Sequence, residues 1–441
     1  MKILHYALGF PPYRTGGLTK YCVDLMLTQI EEGDSVALLW PGEIRKYEGK
    51  VSIKKRKAWK NIDSYEIINP LPVALDEGIM EVQAFMKKCD KTVFLDFFRK
   101  RKPDVIHIHT LMGLYREVIE AANELGIRTV FTTHDYYGLC PKVTFYYNRK
   151  SCTDDHECIN CACCNQTALS LKKIAILQSA LYRTVKNTAL VKMLRKKHRT
   201  AYFEEKDLPE VDPYLSRNKA KEYKALRGYY CSILEKIDCI HYNSTVAKAV
   251  YEKYISPSKS NVISITHRDI QDHRHEKTFD TDKLKITYLG PAKAYKGFDF
   301  ILSVLDKIWK SGEKRFELHL YSITTERKAY ISHMQDGYKY EELEGIFEDT
   351  DILVVPSQWN ETFGFTVLEA LSYGVPVIAS NKVGASDLIR RNTVGMICNN
   401  DEMYECISSL CKNRGPLFEW NKKIQNLKFS EITDVNQCYE Y

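Results

Sequence analysis

The stretch from Asp351 to Gly384, DILVVPSQWNETFGFTVLEALSYGVPVIASNKVG, constrains the fold of this chain more than any other. Ile352 to Val355 is an apolar run of strand length, and Pro356 and Ser357 stop it. A polar loop follows and closes on Glu361, Thr362, Phe363 and Gly364. Phe365, Val367, Leu368 and Leu371 then recur at helical spacing. Gly374 and Pro376 punctuate, and Val375 to Ala379 reads as the next strand. Strand, loop, helix and strand in this order require helices layered on a sheet. The helix start beside Gly364 offers unpaired amide N–H groups and a partial positive charge, which suits phosphate. Glu361 precedes that helix and Glu369 lies within it, seven residues further on. An acid beside an anion site needs another partner, such as a ligand hydroxyl.

A chain of 441 residues exceeds one ordinary core and implies two domains. Its apolar runs are short and broken by charge, so no transmembrane span is expected. Ile3, Leu4 and Tyr6 read as a first strand rather than a signal peptide, because Pro11, Pro12 and Gly16-Gly17 follow at once. A cytoplasmic location is the expectation. The 64 Lys+Arg against 57 Asp+Glu leave a net charge of +7, suited to phosphates or an anionic membrane surface, with no nucleic-acid motif.

The chain opens as βαβ: strand Lys2 to Leu8, the turn GFPPYRTGGLTK, a helix ending near Gly33, and strand Val36 to Leu39. The Gly-x-Gly-x-x-Gly dinucleotide spacing is absent. Residues 43–100 read as irregular and charged, with helical pieces near Ile79–Met86 and Val93–Lys100. DVIHIHT (104–110) and TVFTTHD (129–135) read as strands, with a helix over 114–125 between them. His109 and His134-Asp135 then stand at carboxyl ends of strands, where open parallel sheets bind ligands. For His109 alone, a buried strand with hydrogen-bonded imidazoles is the expected reading. Cys239 to Tyr242 and Val262 to Ile265 close the first unit.

The expected organisation is a first Rossmann-like domain over 1–265 with an insertion at 140–235, a linker at 266–283, a second Rossmann-like domain over 284–414, and a tail at 415–441 packing back on the first. The second unit alternates strand ITYLG, helix 298–311, strand 316–321, helix 325–335, a short helix near 340–347, the opening motif, and helices near 385–391 and 401–412.

Four stretches resemble the GT-B glycosyltransferases of the retaining family-4 group: the Gly16-Gly17 turn, TTHDYYGLCP (132–141), GPAKAYKG (290–297), and above all PSQWNETFGFTVLEALSYGVPVIAS (356–380). The resemblance spans nearly the whole chain. It implies two doubly wound α/β domains facing a cleft, a UDP- or GDP-linked sugar donor, and a glycan or lipid-linked acceptor in surface polysaccharide assembly. Glu361 would accept from sugar hydroxyls and Glu369 from the ribose. Thr362, Phe363, Gly364 and Phe365 would line the sugar and diphosphate. Lys296 would neutralise the leaving phosphate, Gly16 and Gly17 would approach it from the first domain, and His134 would face the sugar across the cleft. No cofactor is implied for the transfer, which proceeds by front-face attack. One position departs: the family's arginine after Gly290 is Pro291 here, which leaves Lys293 as the nearest substitute. A catalytically weak partner subunit and an epimerase-like enzyme are the competing readings.

Two features lie outside that pattern. Cys158-x2-Cys161 has metal-knuckle spacing, and Cys152 with Cys163 or Cys164 could complete a structural zinc site, the alternative being reduced thiols in a loop. From Asn165 through Thr200 there is no Asp or Glu, and Lys172, Arg183 and Lys186 lie apart from an apolar helical face. The readings are a solvated basic helix or peripheral docking on an anionic leaflet.

Overall fold

The computed structural model describes residues 1–45, 49–189, 191–194 and 213–440. The strands in chain order are β1 (Lys2–Tyr6), β2 (Ser35–Pro41), β3 (Ser52–Trp59), β4 (Ile62–Ile68), β5 (Val105–Ile108), β6 (Arg128–Thr132), the short pair β7 (Tyr146–Tyr147) and β8 (Lys150–Ser151), β9 (Cys239–Tyr242), β10 (Ser260–Val262), β11 (Leu284–Tyr288), β12 (Phe316–Leu320), β13 (Ile331–Met334), β14 (Ile352–Val355), β15 (Val377–Ser380) and β16 (Gly395–Cys398).

They form two large sheets. The first runs β10-β9-β6-β5-β1-β2-β4-β3 and the second β13-β12-β11-β14-β15-β16. Every neighbour pair in both is parallel except β3 with β4. Parallel strands bury both faces under crossover helices, which is why β5, β6 and β15 are buried along their whole length and β1 and β14 at all but one residue. In each sheet the strand order reverses beside the first strand of its unit: between β1 and β5, and between β11 and β14. Ligands bind at such switch points, beyond the carboxyl ends of the strands. The loops that follow β1, β11 and β14 hold Gly16-Gly17, Lys296 and Glu361.

Three expectations are corrected. The segment 43–100 carries β3 and β4. SIKKRKAW is charged because β3 is the sheet's exposed antiparallel edge, where lysines deter pairing with other chains. The helix expected over 325–335 is instead strand β13, another edge with little apolar burial to mark it. A final strand, β16, was not expected.

Within 140–235 the helices Leu171–Leu177 and Ala180–Val185 lie over the first sheet. The Gln178 side chain accepts from the Val73 amide at 2.8 Å and donates to the Gly42 carbonyl at 3.1 Å. Arg183 reaches buried Glu66, and Lys186 donates to the Tyr13 carbonyl beside the glycine turn. The basic end of this stretch at 195–200 lies outside the described residues. Residues 266–283 form no helix or strand. The last turn-like segment, Ile432–Tyr439, sits on the first sheet, where Cys438 and Tyr439 bury against Ile3, Val105, Val130 and Cys239.

Candidate active site

Glu361 and Lys296 meet where the loops after β11 and β14 converge. Lys296 Nζ lies 2.5 Å from Glu361 Oε1, and Ser357 Oγ donates to Oε2 at 2.7 Å. Lys296 also stands over the Trp359 ring at 5.4 Å. The approach of the loops requires Gly297: it has φ +78°, and a Cβ there would meet the Pro356 carbonyl oxygen at 1.9 Å. Glu361 is fixed by its backbone as well, its amide donating to the Lys382 carbonyl at 2.8 Å and its carbonyl accepting from the Gly384 amide at 3.0 Å.

Gly364, at φ +100°, starts the helix Phe365–Ser372. Among the described residues, the amides of Gly364, Phe365 and Thr366 donate to no protein acceptor. Three free donors at a helix start suit an anion, and the Glu361 carboxylate that Lys296 holds lies close by, its Oε1 3.8 Å from where a Cβ on Gly364 would stand.

Glu369 lies within the same helix and is buried. Burial raises its pKa, which the Tyr340 and Tyr338 hydroxyls oppose. Tyr338 OH donates to Oε2 at 3.3 Å. His267 packs near it, 3.9 Å from Oε1, and among the described residues neither ring nitrogen has a hydrogen-bond partner. A buried carboxylate that already accepts from hydroxyls is suited to the two adjacent hydroxyls of a ribose. Tyr338, Tyr340, His267 and Ser357 escaped the sequence reading, since no spacing rule links 267 or 338 to 369.

The first unit closes on this face. A Cβ on Gly17 would meet the Phe365 ring at 3.5 Å, and Gly16 at φ +112° caps the helix Gly17–Glu31. Thr362 Oγ1 donates to the His134 carbonyl at 2.8 Å, and Ser244 Oγ donates to the Thr362 carbonyl at 2.6 Å. Thr245 donates twice to Asp387. Phe363 is buried beneath, its ring 5.3 Å from that of Phe365. Beside His134, burial pushes Asp135 up to about 6, so it changes charge near neutral pH.

The structure thus brings Gly17, His134, Lys296, Glu361, Thr362, Gly364, Phe365 and Glu369 to one cleft. Lys293 caps the short turn Ala294–Lys296, and Pro291 is exposed, its carbonyl accepting from Tyr288 OH at 2.8 Å. The four-cysteine zinc site is not assembled. Among the described residues, no three sulfurs of Cys152, Cys158, Cys161, Cys163 and Cys164 come within 4.8 Å of one another. The two knuckle thiols, both free, instead share a hydrogen bond that pushes Cys161 up. His109 is buried and hydrogen-bonded at both nitrogens, as the strand reading expects.

Two facing Rossmann-like units with the candidate groups at their switch points are the architecture of the GT-B glycosyltransferases. Residues 269–426 match the model of "Glycosyl transferases group 1" and residues 15–154 that of "Glycosyltransferase Family 4". The chain belongs to the group 1 glycosyltransferases. An uncharacterized 41.2 kDa protein in the cps region of Klebsiella pneumoniae is 27% identical over 206 residues, 43% of this chain and 55% of that protein. The sulfoquinovosyl transferase SQD2 of Arabidopsis thaliana is 27% identical over 139 residues, 30% of this chain and 26% of that protein. The match therefore spans about half the length of the first relative and a quarter of the second. Anabaena HepE, solved in complex with UDP, superposes with a TM-score of 0.56 at 12% identity, over 99% of this chain and 98% of that chain. At that identity the likeness shows the fold. No described helix is long and apolar enough to cross a membrane.

Proposed function

We propose that the protein is a retaining glycosyltransferase that moves a hexose from a UDP- or GDP-linked donor to a glycan or lipid-linked acceptor in surface polysaccharide synthesis. The observation that carries this reading is the convergence of Lys296 and three free amides on one side of Glu361, with Glu369 one helix turn beyond. In this reading the amides and Lys296 hold the diphosphate, Glu361 accepts from the sugar hydroxyls, and Glu369 accepts from the ribose. When the glycosidic bond breaks, Lys296 and the amides stabilise charge on the departing phosphate. That phosphate then takes the acceptor's proton on the face it leaves, so the configuration is retained. The group's own residues supply the charge stabilisation, and no cofactor enters the step. Binding and slow donor hydrolysis across a panel of nucleotide sugars tests it. One donor is expected to bind and be hydrolysed. A panel without a binder, or Glu361→Ala and Lys296→Ala variants that both behave as wild type, would remove the assignment. Pro291 favours a second reading, a partner subunit of low turnover, and that reading predicts donor binding without hydrolysis.

On the acceptor side, a cavity of about 630 Å³ opens in the first unit under the helix Leu171–Leu177. Among the described residues, Lys50, Lys87, Lys88 and Lys172 line it with Arg45, against the single acid Asp90, over an apolar floor that includes Leu71 and Val93. Its size and charge fit a phosphate- or carboxylate-bearing portion of an acceptor. Along that helix and the next, Ala180–Val185, the side chains of Ile176, Leu181 and Val185 are exposed among basic residues. That combination suits shallow insertion into an anionic leaflet. Co-sedimentation with vesicles rich in anionic lipid is expected and should fall at least about threefold with zwitterionic vesicles or with Ile176→Asp/Leu181→Asp. Binding indifferent to lipid charge would dismiss the docking.

A further inference from the structure

Five histidines from distant parts of the chain converge beneath the cleft: His5 on β1, His107 and His109 on or just past β5, His134 past β6, and His241 on β9. Four are fully buried, and only His134 retains partial exposure. Burial lowers His5 and His241 to about 4, lowers His134 to about 3, and holds His107 and His109 well below the ordinary range. At neutral pH each ring therefore carries one proton, and the question is which nitrogen holds it.

One end of the network answers it. His241 Nε2 lies 2.8 Å from the Ile263 carbonyl oxygen. A carbonyl only accepts, so His241 is protonated on Nε2 and Nδ1 is bare. Thr132 Oγ1, at 2.9 Å, must then donate to Nδ1. The Thr132 oxygen in turn accepts from His107 Nε2 at 2.6 Å, which leaves His107 Nδ1 bare. Tyr439 OH, at 2.8 Å, gives its one proton to that nitrogen. The tyrosine oxygen is thereby free to accept from Gln29 Nε2 at 3.1 Å, and Asn436 Oδ1 accepts from the same amide nitrogen at 2.9 Å. The Gln29 amide has no freedom to flip. Its Oε1 faces His5 Nε2 at 2.8 Å and accepts from it. His5 Nδ1 is bare and accepts from His109 Nε2 at 2.9 Å. His109 Nδ1 then accepts from His134 Nε2 at 3.2 Å.

We propose that this relay, anchored on the Ile263 carbonyl and turned through the tail residue Tyr439, locks His134 in its Nε2–H tautomer and presents Nδ1 as a bare acceptor to a hydroxyl of the donor sugar. Among the described residues, no protein donor reaches that nitrogen. The role at the sugar rests on the reading of the cleft as a nucleotide-sugar site; the tautomer does not. Gln29, Thr132 and Tyr439 are positioning residues that act through His5 and His109. The nitrogens of His5, His107 and His109 also lie within 4.8 Å of one another, a spacing open to a metal. The relay engages both nitrogens of each ring, so metal occupancy and the relay exclude one another.

The polarity of Gln29 gives a direct test. Histidine-labelled full-length protein, without added metal, is examined by long-range proton–nitrogen correlation NMR. Wild type should show His134 protonated on Nε2 and unprotonated on Nδ1. Gln29→Glu offers only acceptors to His5 and should keep that state. Gln29→Lys offers only donors, reverses His5 and His109, and should move the proton of His134 to Nδ1. Donor hydrolysis by Gln29→Lys should then lose at least about tenfold in kcat, the worth of one hydrogen bond, with KM little changed. Tyr439→Phe, which releases the Gln29 amide, should give a mixture of tautomers and serves where the lysine variant does not fold. A wild-type His134 protonated on Nδ1 overturns the relay whatever the cleft binds. A His134 with the expected tautomer whose signals no nucleotide sugar moves overturns the role at the sugar.

Discussion

Lys296→Ala is expected to lower kcat/KM for donor turnover by about 10²–10³-fold, the usual cost of removing one preorganised group from a developing anion. Lys296 holds Glu361 at 2.5 Å and stands one loop away from the free amides of Gly364, Phe365 and Thr366. With no donor bound, each charge of the pair compensates the other in a cleft that leaves their side chains 25% and 14% exposed. A bound diphosphate competes for the lysine, and a bound sugar offers hydroxyls to the acid, so the two ligand parts split the pair between them. Pro291 brings no cation to the phosphate, which concentrates the positive charge of this site on Lys296. Two features distinguish this account from simple loss of a surface lysine. Lys296→Arg should retain a substantial part of the activity, because charge is kept. The double variant Lys296→Ala/Glu361→Gln should be less damaged than the product of the single effects, because each single change leaves its partner unpaired. Steady-state donor hydrolysis measures both, and a Lys296→Ala enzyme within threefold of wild type would refute the assignment.

Much of the site was legible from the sequence, because its chemistry sits on short-range signals. Glu361, Gly364 and Glu369 belong to one strand–loop–helix unit, and Lys296 precedes a glycine that a close backbone contact requires. The alternation of apolar strands and amphipathic helices likewise marked both sheets where strands are buried on both faces. It failed at their edges. Strand β3 carries Lys54, Lys55, Arg56 and Lys57, and strand β13 has no buried residue, so neither shows the apolar run by which a buried strand is known. Long-range contacts were the other blind spot. Tyr338 and His267 reach Glu369 through loops, and the relay unites residues 5, 29, 107, 109, 134, 241 and 439, which no local pattern connects. The cysteine spacing misled for the same reason: Cys158 and Cys161 are close, but the fold does not bring a third sulfur of that cluster to them.

The buried rings make acid the main threat to the fold. His5, His241 and His267 are lowered by burial to about 4 and His134 to about 3, while His107 and His109 lie well below the ordinary range. Each is neutral in the folded chain and takes up a proton near pH 6.5 once unfolded. A group whose folded pKa is depressed contributes stability that is present above its unfolded pKa and is lost as pH falls toward the folded one. The window is therefore pH 6.5 down to about 4. Over it, six rings that titrate only in the unfolded state give a slope approaching about 7 kcal/mol per pH unit, so the step from pH 7.5 to 5.5 costs on the order of 8 kcal/mol. Asp135, raised by burial to about 6, works in the opposite direction, because the folded chain binds its proton more tightly than the unfolded one. One carboxyl offsets only a small part of six imidazoles. The expected loss is comparable to the whole stability of an ordinary domain, so the chain should unfold between about pH 6 and 5. Urea midpoints and calorimetric proton uptake across this range provide the check, with about five protons taken up per chain on unfolding at pH 5.5. Uptake of fewer than two would mean that the rings are already protonated in the folded protein, and the neutral network would have to be abandoned.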